Sequence, residues 1–436
     1  MPMRSASYYL ELFMTRVCTF ALFIAAAIAA AAIAGVEGRS TAPAAKIDHG
    51  APLAGKFGAR GYVKLGGGGD AHLRVVDNAP LVGQLVYGRR PNDERLRLNR
   101  LTTDGKPDTT FGGGDGKYSV DCRRQITPKS FVAQMDKAPN SWCLLAAYDV
   151  DPTGHAVMLV RGGYNGGPTS ANSRTVMLRF DRTGTKIEQR TVLPEIIDGR
   201  TEHTPMAFYS DGTAIVADGS WCGAPRFFLV APDGTIGAAT ELQDGEYTCA
   251  GSNATLGLEV IDDVAYAIQA WGMERVDRAG MTLTRQKPFA KVTVPYDAED
   301  SFGPIETLVT NPVDGHIAVI DGSGGKRRLR IVGADGTKVV PLPSKLSIHE
   351  ASLIPGGVVL WGLTDKRPAS NSFYPRQTAS IAVGLDGSVL WKRVASETVR
   401  DVDIPFASDA TAASVPGGGT RVYALGDGPR VFALRP

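Results

Sequence analysis

The sequence has 436 residues, of which 43% are hydrophobic and 21% are charged, which is enough for a large folded core. Lysine and arginine number 47 against 45 aspartate and glutamate residues, so the formal net charge is +2 and no basic excess is available to bind nucleic acid. The 51 glycines indicate many tight turns and argue against a helical bundle.

Residues 1–34 are predicted to be a secretory signal peptide. Arg16 supplies its positive charge, and the uninterrupted apolar run Phe20–Ala34 ends in the small residues that a signal peptidase requires. The alternative is an uncleaved membrane anchor, for which this alanine-rich run is short. We therefore expect a secreted or periplasmic protein with no membrane span after cleavage. It would have a flexible linker over residues 35–55 and one domain over residues 56–436.

After this segment, one pattern recurs seven times: a turn rich in Gly, Pro and Asp, a short β-rich strand and a closing glycine. The closing glycines are about 56 residues apart on average. A second hairpin follows each of the first six copies, and its turn often carries Asp-Gly, which favours hairpins because positive φ costs little there. Four antiparallel strands at this period predict an all-β fold, a seven-bladed β-propeller of four-stranded blades. The copies are Asn78–Gly88, Pro152–Gly162, Asp211–Gly219, Asp262–Gly272, Asp314–Gly322, Pro355–Gly362 and Pro416–Gly426.

The two ends of this array are predicted to complete each other. The seventh unit has a third strand at Val431–Leu434 and no room for a fourth. Near the other end, Phe57–Val63 is similar to the fourth-strand segment Phe111–Tyr118 of the first unit. An N-terminal strand over Phe57–Leu65 that pairs with Val431–Leu434 would close the ring and leave no exposed sheet edge.

A family resemblance rests on the first unit. Leu96–Gly112 contains a hydrophobic-Arg-Leu strand, then Asp104-Gly105, then Asp108 followed by Phe111-Gly112. This pattern resembles the delta-60 repeat of bacterial, often surface or secreted, propeller-like proteins. The segment Phe57–Val63 shares part of it, and the other units share only the hairpin turn. The resemblance implies a propeller and brings no catalytic residues with it.

Cleavage of the signal peptide removes Cys18 and leaves four cysteines. An even number in an exported protein predicts two disulfides, and four cysteines permit three pairings. Proximity in the sequence favours Cys122–Cys143 and Cys222–Cys249. No two of these cysteines have the close spacing of a zinc site, and we expect neither a metal nor a cofactor.

The strand order assigns every loop to one of two faces. The turn face carries the turns within the two hairpins of each unit, which are predicted to be short. The loop face carries the second-to-third-strand loops and the connections between units, which are long at Gly163–Ser173, Thr364–Arg376 and Asp121–Trp142. The four mature cysteines also fall on the loop face. Because binding groups usually lie on loops held by a rigid scaffold, we predict the binding site on this face.

Aromatic residues on the loop face are candidates for stacking on a sugar or for docking a protein. The two tryptophans beside cysteines have a second interpretation, in which they only cover the disulfides. Trp271 and Trp361 are instead predicted to pack between units. The candidate binding residues are Trp142, Tyr164, Trp221, Tyr247, Phe373 and Tyr374.

No arrangement of residues identifies a catalytic site. His72, His203 and His349 precede or enter first strands and would approach the central channel, although the period of the units explains their spacing equally well. The segment Asp149–Gly154 resembles the start of a calcium loop but has Val160 where the bidentate acid belongs, so a turn is the better interpretation.

Three functions remain open. The sequence favours a non-catalytic exported propeller that binds a protein or polysaccharide at the cell envelope or outside, through its loop face. A second hypothesis is a secreted glycan hydrolase or lyase with its site at the central channel, where Glu202 with His203 or His349 would act. A third is a scaffold for envelope assembly, recognisable by a stable protein partner. A channel lined by converging carboxylates or histidines would favour the enzyme.

Overall fold

The computed structural model describes residues 57–58, 61–67, 70–88, 93–138, 140–164, 172–194, 205–217, 226–241, 255–269, 272–290, 317–321, 328–333, 336–341, 346–364, 378–394, 407–414, 420–426 and 430–434. The predicted signal peptide and linker lie outside these ranges. Within them, no helix combines the length and the apolar character that a membrane span requires.

These ranges contain twenty-seven strands and one α-helix, α1 (Lys129–Lys137). The first strands are β1 (Tyr62–Lys64), β2 (Ala71–Val76), β3 (Ala79–Tyr87), β4 (Glu94–Arg100), β5 (Lys117–Asp121), β6 (Ser141–Val150), β7 (Ala156–Tyr164), β8 (Ser173–Phe180) and β9 (Ile187–Val192). Next come β10 (Met206–Phe208), β11 (Ala214–Ala217), β12 (Arg226–Val230), β13 (Thr240–Glu241), β14 (Thr255–Ile261), β15 (Val264–Gln269), β16 (Gly272–Ala279), β17 (Thr282–Ala290) and β18 (Ile317–Asp321). The last are β19 (Arg328–Gly333), β20 (Gly336–Pro341), β21 (Leu346–Ile354), β22 (Gly357–Thr364), β23 (Thr378–Gly384), β24 (Val389–Val394), β25 (Ala407–Ser414), β26 (Thr420–Gly426) and β27 (Arg430–Leu434).

The strands form seven antiparallel sheets that follow one another along the chain. Sheets 1 to 4 are β2–β5, β6–β9, β10–β13 and β14–β17, sheet 5 is β18–β20, sheet 6 is β21–β24, and sheet 7 is β25–β27 with β1. Neighbours in sequence are neighbours in each sheet, and sheet 5 has three described strands where the others have four. The predictions of an all-β fold and of seven repeated antiparallel units are confirmed.

The first strands of sheets 6, 7, 1, 2, 3 and 4 lie side by side in that order. Strand β2 packs against β6, β6 against β10, and β10 against β14; β21 packs against β25, and β25 against β2. Sheets 1 and 7 are therefore adjacent. The second strands β3, β7 and β11 are buried almost throughout because a sheet covers each of their faces, which explains their nearly continuous apolar sequences.

Sheet 7 takes its outer strand from the other end of the chain. Strand β1 pairs antiparallel with β27, with Tyr62 opposite Phe432 and Lys64 opposite Arg430. Phe57, just before β1, is fully buried and its ring lies 5.6 Å from that of Tyr423 on β26. The pairing predicted between the two ends of the array is therefore present.

Apolar side chains fill the spaces between adjacent sheets. One cluster joins β3 and β4 of sheet 1 to β6, β7 and β8 of sheet 2, and another joins sheets 6 and 7 around Trp361, which is 1% exposed. The prediction that Trp361 packs between units is confirmed. Tyr148 shows how close the sheets lie, because a Cβ added at Gly83 would come within 2.4 Å of its ring. Burying such rings is a main source of stability in this fold.

A Phe-Gly pair of sheet 1 contacts the second hairpin turn of sheet 2. In the connection between β4 and β5, the Gly112 N–H donates to the Thr183 carbonyl at 2.8 Å. The Phe111 ring covers Gly184, where an added Cβ would lie 2.0 Å from the ring. Gly184 therefore has to be a glycine, both for its positive φ of 61° and for this close approach.

The Phe57-Gly58 pair repeats this contact between sheets 7 and 1. The Gly58 N–H donates to the Asp104 carbonyl at 2.9 Å, and a Cβ added at Gly105 would lie 3.1 Å from the Phe57 ring. The similarity between Phe57–Val63 and Phe111–Tyr118 thus has a physical cause. In both places the Phe-Gly pair fixes one sheet to the hairpin turn of the next.

The segment Asp121–Trp142 differs from its prediction as a loop. It contains a 3₁₀ turn at Arg123–Gln125 and the helix α1. The helix buries Phe131 and Met135, one turn apart on one side, against the core between sheets 1 and 2. This burial stabilises a nine-residue helix that would be marginal in isolation.

The connection between β4 and β5 also differs from its prediction. The turn face was expected to carry only short turns, yet this connection covers residues 101–116. Part of the predicted outer strand Phe111–Tyr118 belongs to it, and β5 begins at Lys117. The extra length is what brings Phe111 to the turn of sheet 2.

Candidate functional site

A cavity of about 880 Å³ lies among the first strands of sheets 1, 2, 3, 4 and 7. We call it the central cavity. It is at the end of these strands that carries their hairpin turns, so it belongs to the turn face and not to the loop face favoured by the sequence. Each of the five strands contributes to its wall, through Arg74, Asp149, Phe208, Glu259 and Thr411 in chain order.

Arg74 and Asp149 form an ion pair across sheets 1 and 2. The Arg74 Nε lies 2.8 Å from the Asp149 Oδ1, and both side chains are about one-fifth exposed. Asp149 also accepts the Val150 N–H at 2.8 Å, and Arg74 donates to the Leu73 carbonyl at 2.8 Å. These bonds hold both charged groups in fixed positions at the cavity wall.

Glu259 is the carboxyl group of the cavity wall with no ion pair among the described residues. Burial raises its pKa well above the usual range, and the nearby Asp149 raises it further, while Arg74 acts in the opposite direction. Its side chain is half-buried, because protein surrounds it on all sides except the cavity. The carboxyl group therefore keeps its proton at pH values where an exposed glutamate has lost it.

The Glu259→Gln variant is expected to gain stability relative to the wild type as the pH rises. Because the pKa of Glu259 is raised in the folded state, the folded protein retains a proton that the unfolded chain releases above about pH 4.3. Wild-type stability then falls between the unfolded and folded pKa values, by at most about 1.4 kcal/mol per pH unit. Urea unfolding of both proteins from pH 4.5 to 8 measures the difference between their free energies of unfolding. A difference that stays constant over this pH range would contradict the prediction.

Paired charges surround the cavity opening. Asp151 accepts the N–H groups of Thr153 and His155 at 2.9 and 3.0 Å and lies 2.6 Å from Arg179. Asp149-x-Asp151 is therefore the framework of a turn and an ion-pair anchor, which confirms the turn interpretation of this segment. In the described part of the chain, no group of three or more acidic, histidine or cysteine side chains is arranged to hold a metal ion.

The connection between β5 and β6 forms a fixed structure on the loop face. We call residues 121–142 the loop-face insert. A disulfide joins Cys122 to Cys143, as predicted from their proximity. Arg123 is buried and binds Glu94 at 3.1 Å and the Ser141 hydroxyl at 2.7 Å. These bonds attach the insert to both neighbouring sheets.

Trp142 and Tyr164, two of the predicted binding residues, lie near the open end of the β6–β7 hairpin, where Trp142 is opposite Gly163 and Tyr164 is opposite Ser141. The Trp142 ring covers Gly163, where an added Cβ would lie 2.6 Å from it. The Tyr164 ring lies 5.2 Å from that of Phe131 on α1, and its hydroxyl group donates to Gln134. Both rings thus pack against the protein, and a binding role for their remaining surfaces stays a prediction.

The other predicted site residues lie outside the described ranges. They are Trp221, Tyr247, Phe373, Tyr374, Cys222, Cys249, Glu202 and His203. Of the remaining channel histidines, His72 lies on β2 and His349 on β21. A second disulfide and a histidine site therefore stay predictions.

Sequence reasoning missed the group formed by Arg74, Asp149 and Glu259. A signal was present, because each is a charged residue inside a first strand, two or three positions before the acidic residue of the following turn. A single charged residue in a largely apolar strand is usually interpreted from sequence as a residue that faces solvent. The structure shows that these strands face one cavity, so their charges converge.

Comparison with known proteins identifies no family for this chain. No protein-family model matches the sequence, and no curated protein matches it. Among solved structures, one match is the crystal structure of BBS1N in complex with ARL6DN, soaked with mercury. It has a TM-score of 0.44 and 9% sequence identity, and the alignment covers 86% of this chain and 95% of that chain.

Proposed function

We propose that the chain is an exported, closed seven-bladed β-propeller of the delta-60 type that binds a protein or polysaccharide through its loop face. It would act at the cell envelope or outside the cell. The seven sheets, the packing of β2 on β25 and the Phe57-Gly58 contact between sheets 7 and 1 support a closed ring. The Cys122–Cys143 disulfide supports export, because such bonds persist in oxidising compartments.

The observation that carries the binding role is the loop-face insert. An insertion that is fixed by a disulfide and by a buried ion pair keeps its outer surface in one arrangement. A binding surface benefits from such rigidity because less conformational entropy is lost on association. The outward side of α1 is polar, with Lys129, Gln134, Asp136 and Lys137 exposed. This surface fits a polar partner better than an apolar docking segment.

A matched pair of charge-reversal variants tests the role of this face. Lys129→Glu with Lys137→Glu changes the loop face, and Lys106→Glu with Lys186→Glu makes the same change on the turn face; all four lysines are exposed. The full chain is first used to isolate a protein partner from envelope extracts and is tested for binding on an array of defined glycans. Binding of both variants to the purified partner or glycan is then measured. We expect the first variant alone to lose binding. Equal binding by both variants would contradict the proposal.

A second candidate function has one observation in its favour. Asp149 and Glu259 both line the central cavity, and burial raises the pKa of Glu259 well above its usual range. A carboxyl group with a raised pKa near a second carboxyl group is the type of acid pair that glycoside hydrolysis uses. A secreted glycan hydrolase would therefore use Glu259 as its acid. Loss of turnover of an identified glycan in Glu259→Gln would support this function, and unchanged turnover would exclude Glu259.

A further inference from the structure

We propose that the central cavity is a binding site for a single uncharged sugar unit, held by Glu259 and Arg74 and stacked against Phe208. This site lies on the turn face and does not depend on the partner proposed for the loop face. It also does not require turnover of the sugar.

The first argument is charge. Three carboxylates of the cavity wall are paired with arginines: Asp149 with Arg74 at 2.8 Å, Asp77 with Arg100 at 2.8 Å, and Asp151 with Arg179 at 2.6 Å. Arg182 at the rim is more than half exposed, so solvent screens its charge. The paired wall has little net charge with which to attract an ion, so an uncharged ligand fits it best.

The second argument is hydrogen bonding. The Glu259 carboxyl faces the cavity and has no ion pair among the described residues. A protonated carboxyl group both donates and accepts, as a sugar hydroxyl does. Arg74 and Asp149 are fixed by their mutual bond at 2.8 Å, and Thr411 adds a hydroxyl group from β25. Fixed polar groups of this kind on several strands match a ligand that has hydroxyl groups around its edge.

The third argument is shape. Between the polar side chains, the wall is apolar at Phe208, Val75, Val260 and Ala412. A sugar ring likewise has an apolar C–H face and a polar edge, and aromatic rings pack against such faces. The volume of about 880 Å³ lies in the range of small-molecule sites and exceeds the needs of one sugar unit. The end of a longer chain would therefore also fit.

Calorimetric titration of the purified full chain tests the proposal. The probes are glucose, galactose, mannose, N-acetylglucosamine, cellobiose and lactose; putrescine and inorganic phosphate serve as charged probes. Soluble polysaccharides with matching ends distinguish a free sugar from a chain end. We expect at least one uncharged sugar to bind and both charged probes to fail. Binding of a charged probe alone, or of no sugar in the panel, would overturn the proposal.

Variants assign the binding to the cavity. Glu259→Leu removes both the donor and the acceptor of the carboxyl group at a similar side-chain size, and we expect it to weaken sugar binding by about 2- to 10-fold for each hydrogen bond that is lost. Phe208→Leu keeps an apolar side chain but removes the ring, and several-fold weaker binding is expected. Glu241→Leu, at an exposed position on β13 at the edge of sheet 3, is the matched control and should bind within two-fold of the wild type. Thermal unfolding of each variant shows that it is folded.

These outcomes separate the cavity from the loop face. If Lys129→Glu with Lys137→Glu loses the loop-face partner but keeps sugar binding, both proposals stand. Sugar binding that is unchanged in folded Glu259→Leu and Phe208→Leu proteins would place the sugar elsewhere and overturn the cavity proposal alone.

Discussion

A chain that lacks residues 1–65 is expected to lose cooperative folding, whereas a chain that lacks residues 1–55 is expected to fold like the full chain. The longer deletion removes β1 and leaves β27 as an exposed edge in sheet 7. It also removes Phe57, which is fully buried and contacts both Tyr423 and the Gly105 turn. Losing one buried Phe side chain costs about 3–5 kcal/mol, a large share of the roughly 5–15 kcal/mol that stabilises a typical domain.

Soluble yield and urea unfolding, followed by far-UV circular dichroism and by tryptophan fluorescence, measure this effect. Phe57→Ala is the corresponding point variant, and Phe111→Ala is its matched control because it removes the same contact between sheets 1 and 2. Both are expected to be destabilised by a similar amount, since each removes a buried Phe ring that packs on the hairpin turn of the next sheet. A soluble chain starting after Leu65 with an unchanged unfolding slope would show that β1 is dispensable.

Replacing Cys122 and Cys143 by alanine is expected to lower the free energy of unfolding by about 3 kcal/mol. The disulfide closes a segment with a sequence separation of 21 residues, and its loss restores conformational freedom to the unfolded chain. The loop-face insert would then be held by the packing of α1 and by polar contacts such as the Arg123–Glu94 ion pair and the Arg123–Ser141 hydrogen bond. Binding through the loop face should weaken as well, because the insert is then held less rigidly.

Urea unfolding of the oxidised wild type and of the double variant measures the loss. Cys222→Ala with Cys249→Ala is the companion variant, and a similar loss there would reveal the second predicted disulfide. A double Cys122/Cys143 variant as stable as the wild type would show that the insert does not rely on its disulfide.

Features that depend on local chemistry could be predicted from the sequence. The seven units follow from turns that need positive φ, such as Gly105 and Gly387, and from apolar second strands such as β7. The Cys122–Cys143 bond follows from proximity in the chain. Helix α1 was missed because Phe131 and Met135 make only one turn of apolar spacing, which is indistinguishable from a loop until sheets 1 and 2 provide a surface for it.

The central cavity could not be predicted from the sequence for a different reason. Arg74, Asp149 and Glu259 lie on three sheets, and only the arrangement of those sheets brings their side chains to one cavity. Each residue alone looks like an exposed charge in a strand. Reasoning from loop length led instead to the loop face, because long loops are visible in a sequence and convergent strand positions are not.

The pairing of β1 with β27 has a consequence for the order of events during synthesis. Strand β1 is made first and β27 last, so β1 has no partner until residue 434 has been added. At about 5–20 residues per second, this delay is roughly 20–70 s. Until then Phe57 has no Tyr423 to cover it, and its exposed ring adds to the apolar surface through which a nascent chain can aggregate.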